Sequence, residues 1–111
     1  MKLPNARDAI VERRKVIDYL LASEHPEGGG KADFFAHFGF TATEWEVFAH
    51  SLIADAQAHP VSSVSESKYG TKYRIDGTIL CPDGGSPSIR AVWIIDRGSE
   101  TPRLVTAHPL P

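Results

Sequence analysis

The chain changes its hydrophobic period once, near residue 60, and that change governs what it can fold into. Before it, apolar residues recur at spacings of three and four. Val16, Leu20 and Leu21 share a face with Ile17 beside them, and Trp45, Phe48, Leu52 and Ala56 form a second such set. This is the spacing of helices with one buried face. After it, Tyr73, Ile75 and Ile79 alternate with Lys72, Arg74, Asp76 and Thr78, the period of a strand with two unlike faces. Helices first and strands afterwards imply an α+β domain, with two or three N-terminal helices packed on one face of a three- to four-stranded antiparallel β-sheet meander. A chain of 111 residues is expected to make a single domain, 1–111, with a helical half at about 5–60 and a sheet half at about 61–109.

Local punctuation sets the elements. Pro4-Asn5 can open an early turn, and Ala9, Ile10 and Val11 read either as part of it or as a short extended piece. The first helix is placed at about 12–22. Pro26 biases His25 away from helical geometry, and Glu27-Gly28-Gly29-Gly30 reads as a loop. A short second helix starts near Lys31, anchored by Phe34, Phe35 and Phe38, and Gly39 stops it. Thr41 and Glu44 have the spacing of a capping box for a third helix ending at His59-Pro60. Gly77 interrupts the alternation and implies a bulge or a close backbone approach. Two further strands run from Ile89 to Asp96 and from Arg103 to His108, and Val61 to Val64 can add a short edge strand. Trp93, inside the most apolar strand, reads as core.

Composition excludes several function classes. Twelve Lys and Arg against fourteen Asp and Glu give a net charge of −2, unlike a histone-like binder held mainly by phosphate contacts. A single cysteine, Cys81, cannot supply an internal disulfide framework or a multi-cysteine zinc site, and is given no redox role. The five histidines show no i, i+4 helical pair of zinc-protease type, so no metal or cofactor is expected. No apolar run approaches the roughly 20 residues of a membrane span, and MKLPNARDAIVERRK lacks the apolar centre of a signal peptide. A cytoplasmic location without a membrane partner is the expectation. Gly30-Lys31 superficially suggests a phosphate loop, but His25 and Ala32 stand where that motif needs Gly and Ser or Thr.

Four features remain as candidate chemistry. His25 at a helix end is followed by the glycine loop and by Lys31 at the next helix start, where positive charge opposes the helix dipole. The plain structural explanation is a capping His and a solvated Lys. Tyr69-Gly70-Thr71-Lys72-Tyr73 leads into a strand with aromatic and basic groups suited to nucleic acid, or simply with exposed alternation. Trp93 is the third. The fourth is the last strand, where Thr106 can offer a hydroxyl to phosphate. Regular alternation puts Arg103 on the face opposite Thr106, so both serve one site only across a bulge.

KLPNA, HPEGGGKADFF with FGF, YGTKY and VWII…PRLVTAHP together resemble an uncharacterised bacterial domain family, over essentially the whole chain. Its members are standalone proteins or C-terminal domains of phage-head and polymorphic-toxin proteins. Its layout is similar to that of the barnase–EndoU–colicin–RelE ribonuclease superfamily. His108 stands where the family usually has Tyr, and Arg13 where a helix-starting Pro is common. The resemblance implies metal-independent RNA cleavage by attack of the 2′-hydroxyl on the adjacent phosphate. In that reading His25 is acid or base, Lys31 and Thr106 hold the phosphate, and Tyr69, Lys72, Tyr73 and Arg103 bind substrate. The partners are then RNA and a cognate immunity protein, with delivery into other cells where the domain serves a toxin system. A noncatalytic interaction module (immunity protein, antitoxin or phage-associated partner) is the competing expectation, and a small-molecule or nucleotide binder at the Lys31 helix end is the third. Residues 66–111 hold six basic and five acidic groups, against six and nine in residues 1–65, so the sheet half is the better place for RNA.

Overall fold

A computed structural model of the chain describes residues 1–22 and 29–111. A 3₁₀ turn at Ala6–Asp8 follows Asn5, which takes the left-handed conformation (φ 56°) that asparagine tolerates. Ile10 is extended and bridges Arg103 in parallel. Its N–H donates to the Pro102 carbonyl at 2.9 Å, and its carbonyl accepts from Leu104 at 3.0 Å. The short extended piece is therefore the alternative the chain adopts. Helix α1, Arg13–Lys15, runs directly into a π-helical turn, Val16–Leu20, closed by the Leu21 N–H on the Val16 carbonyl at 2.7 Å. Val16 and Leu20 are buried, as their spacing requires. Helix α2 is Gly29–His37 and helix α3 is Trp45–Ala58. The Thr41 hydroxyl accepts the Glu44 N–H at 3.2 Å, one half of the expected capping box, and α3 itself starts one residue later.

The four strands β1 (Ser63–Ser67), β2 (Gly70–Thr78), β3 (Ser88–Asp96) and β4 (Pro102–Pro109) lie in the order β1-β2-β3-β4, all antiparallel. The edge strand expected at 61–64 begins at Ser63. Gly77 pairs with Ile89 without a break in register, so it marks a close approach and not a bulge. The bulge lies in β4. Val92 pairs with Thr106 but Trp93 pairs with Leu104, which leaves Val105 as an extra residue.

The core lies between the helices and one sheet face. Ile75, Ile89, Ala91, Trp93, Leu104 and Ala107 meet Val16, Leu20, Phe35, Phe48 and Leu52. Phe35 and Phe48 rings are 4.6 Å apart, and Phe40 stacks on Phe48 at 4.4 Å. Each such side chain contributes about 1.5–3 kcal/mol on burial. Alternation sends the other set of strand residues to the outer face. The register arranges them in three rows: Lys72, Ile94 and Arg103; Arg74, Val92 and Thr106; Asp76, Arg90 and His108. Val92 and Ile94 are buried yet stand outside the core cluster. They form the floor of the outer face, with Lys72 and Arg103 beside Ile94 and Arg74 and Thr106 beside Val92 in register.

Candidate functional site

The π turn, α2 and the bulged strand meet at Lys31. Its ammonium donates to the Tyr19 hydroxyl at 2.9 Å and to the Thr106 hydroxyl at 3.1 Å, and lies 4.9 Å from the centre of the Tyr19 ring. Two of its three donors are used among the described residues, leaving one for a ligand. Lys15 approaches the same ring, at 5.5 Å. A cavity of about 280 Å³ beside this cluster is lined by Glu12, Arg14, Lys15, Tyr19 and Arg103. The arrangement is cationic, offers hydroxyls at hydrogen-bonding distance, and can hold a tetrahedral oxyanion such as phosphate.

The bulge corrects the expected separation of Arg103 from Thr106. With Val105 unpaired, both residues fall opposite outer-face residues of β3, Ile94 and Val92. Three residues apart, they would alternate to opposite faces in a regular strand. The Arg103 guanidinium is fixed by two hydrogen bonds to Asp96, at 2.7 and 3.0 Å. The reciprocal effect holds the Asp96 carboxyl below its usual range. Arg90 and Asp76 form the equivalent fork in the third row, at 2.7 and 2.9 Å. Among the described residues Arg74 donates to the Ser65 hydroxyl alone, at 3.1 Å, and no carboxylate pairs with Lys72 or Arg74.

Of the residues expected from sequence, Lys31 and Thr106 come together, Arg103 joins them through the shared cavity with Tyr19, and Lys72 lies on the same sheet face as Arg103. Tyr73 packs on the core side of β2, across the sheet from Lys72. Tyr69 lies in the β1–β2 turn and is exposed. His25 lies outside the described residues. Tyr19 escaped sequence reasoning; its i, i+4 spacing from Lys15 was the available signal, and nothing local tied it to Lys31. Cys81 is no nucleophile candidate, because burial, with Asp83 nearby, pushes its thiol up to about 11.

A second titratable pair stands apart from this cluster. His59 at the C-terminal end of α3 meets the buried Asp55 carboxylate at 2.8 Å. Among the described residues no helix is long and apolar enough to cross a membrane.

The fold is similar to that of a chain in a contact-dependent growth inhibition toxin–immunity protein complex from Klebsiella pneumoniae 342. The TM-score is 0.72, with 15% sequence identity, 91% of this chain covered and 99% of that one. At that identity the likeness is one of fold. No curated protein matches the chain. Residues 2–111 match the family described as "Domain of unknown function (DUF6883)", which covers the helices, the bulged strand and the Lys31 cluster alike, and the chain belongs to that family.

Proposed function

We propose that the chain is a metal-independent ribonuclease acting within a bacterial toxin system. The observation that carries this reading is the placement of Lys31 against Thr106 and Tyr19, beside a cavity shared with Arg103. Cleavage by the 2′-hydroxyl requires a proton taken, a proton given and a pentacoordinate phosphate stabilised. Lys31 holds a non-bridging oxygen with its remaining N–H and neutralises the charge that develops there. Thr106 and Tyr19 fix the ammonium in place, and the Thr106 hydroxyl can donate to a second phosphate oxygen. Arg103, held rigid by Asp96, supplies a further cation at the cavity wall. His25, six residues before Lys31 in the chain, serves as acid or base, the role to which an imidazole is suited near neutral pH. The outer sheet face, where Lys72 and Arg74 have no carboxylate partner among the described residues, takes the flanking phosphates. The fold shared with a chain of a toxin–immunity complex supports the toxin-system setting, on either side of such a pair.

The test is cleavage of total RNA, tRNA and ribosomes by the purified chain in EDTA, beside Lys31→Ala, Thr106→Val and His25→Ala. The expected products carry 2′,3′-cyclic phosphate ends, and each variant lowers the rate by about 10²-fold or more. A folded wild-type protein that cleaves none of these substrates overturns the catalytic reading. In that case the noncatalytic interaction module takes its place, to be pursued by pull-down of a partner.

A further inference from the structure

A cavity of about 410 Å³, lined by residues of α3, the end of β2 and the segment that follows it, and distinct from the Lys31 cluster, has a different chemistry. Ala54, Ala58, Ile79 and Leu80 give it apolar walls, Asp55, His50 and His59 are its ionisable groups, and no Lys or Arg lines it among the described residues. Asp55 Oδ1 holds the His59 ring, but Oδ2 is buried with no hydrogen-bond partner among the described residues. A buried carboxylate oxygen left without a donor is unfavourable, and a donor arriving with positive charge relieves it most. The strand is built to accommodate this pair. A Cβ on Gly77 would lie 2.6 Å from both Asp55 Oδ1 and His59 Nδ1, so only a residue without a side chain fits there. Leu80 is 71% exposed at the cavity and gives an incoming aliphatic chain something to cover.

We propose that this cavity binds an alkylated cation, a guanidinium or primary ammonium on an aliphatic stem, with its head on Asp55 Oδ2 and its stem along Ala54, Ala58, Ile79 and Leu80. His59, with 32% of its side chain exposed, is the member of the pair that yields to admit the head. Burial already pushes the Asp55 carboxyl up to about 6, and a bound cation reverses that displacement. The same chemistry is carried by a free amine and by the arginine of a peptide.

The experiment is an NMR titration of the isotope-labelled full chain with agmatine, with acetyl-Gly-Arg-Gly-amide, and with 1-pentanol as a neutral stem. Agmatine or the peptide is expected to shift the Asp55 carboxylate and the Leu80 methyls in saturable fashion. Saturation by agmatine assigns the site to free amines, and saturation by the peptide alone assigns it to a side chain. Pentanol leaves Asp55 unmoved. Asp55→Asn weakens binding at least about tenfold, and the exposed Leu80→Ser weakens it without disturbing the fold. Bound agmatine or peptide lowers the Asp55 pKa in the wild-type chain, a readout that does not depend on the Asn variant folding. The proposal is overturned if neither cation gives a saturable shift at millimolar concentration, if Asp55→Asn binds as tightly, or if the Asp55 pKa does not fall. None of these outcomes depends on whether the chain cleaves RNA.

Discussion

Desolvation dominates at Asp55: burial pushes its carboxyl up to about 6 from the usual 3.8, and the charge and hydrogen bond of His59 recover only part of the loss. Asp76 adds a smaller effect in the same direction as burial. The raised value fixes the sign of a pH dependence. Between about pH 4 and 6 the folded chain keeps a proton that the unfolded chain has released, so stability falls as pH rises through that window. The full displacement corresponds to about 3 kcal/mol at most. Asp76 and Asp96 behave oppositely. Hydrogen bonds from Arg90 and Arg103 hold their carboxyls below the usual range, and that contribution is lost only as pH falls below about 4. The two windows separate, which makes the Asp55 effect measurable. Urea denaturation from pH 4 to 8 is expected to show wild-type stability declining to a plateau above pH 6. Asp55→Asn, which cannot ionise, is expected to flatten that decline. A wild-type curve that rises steadily from pH 4 to 6 would show that His59 overcompensates for burial.

At the scale of elements, the β4 bulge decides whether a site exists. Leu104 and Ala107 both belong to the core, and the extra Val105 lets the strand keep both while Arg103 and Thr106 share the other face. Removing Val105 would leave Leu104, Thr106 and Ala107 in regular alternation, with the core contacts intact, but would re-aim Thr106 relative to Lys31. Deletion of Val105 is therefore expected to keep the fold, with stability changed by about 1 kcal/mol or less, while RNA cleavage falls at least about tenfold. Thermal unfolding and the cleavage assay on the same preparation check both halves. Cleavage at the wild-type rate would mean that the bulge does not set the aim of Thr106 toward Lys31. This strand also marks the boundary of what the sequence made legible. The helical spacing around Phe48 and the alternation around Ile75 give the layers directly, because each pattern states which face must leave water. A bulge does not announce itself that way, since Pro102 to Pro109 reads equally well as a regular strand. The π turn and the Lys31–Tyr19 contact were hidden for a related reason: both depend on where α2 returns across the chain, which no local spacing encodes. Gly77 was legible as a bulge or a close approach, but the approaching pair that decides between them, Asp55 and His59, lay outside its strand.

For the whole molecule, the net charge of −2 conceals a division between faces. Lys72, Arg74, Arg90 and Arg103 share the outer sheet face, where Asp76 and Asp96 neutralise only Arg90 and Arg103. Counting charges along the chain finds a slight basic excess in the second half, whereas the register gathers that excess on one surface. A polyanion responds to the local field and not to the total. Lys72 and Arg74 are thus the residues whose removal should change the salt dependence of RNA binding without breaking an ion pair. Each phosphate contact on a single strand contributes about 0.7 to the slope of log K against log salt. Binding to a short, 2′-deoxy-blocked RNA analogue that cannot be cleaved is expected to lose about 1.4 from that slope in Lys72→Ala, Arg74→Ala. Removing Lys2 and Arg7 instead gives the same net charge but touches neither the outer face nor the Lys31 cluster. Lys2 is engaged with the α3 carbonyls of Gln57 and Ala58, and Arg7 lies in the first 3₁₀ turn. That control is expected to leave the slope unchanged. Equal losses in the two double variants would show that total charge governs the association. Loss confined to Lys72 and Arg74 would place the strand on the outer face, with its scissile phosphate carried across the β4 bulge toward Lys31.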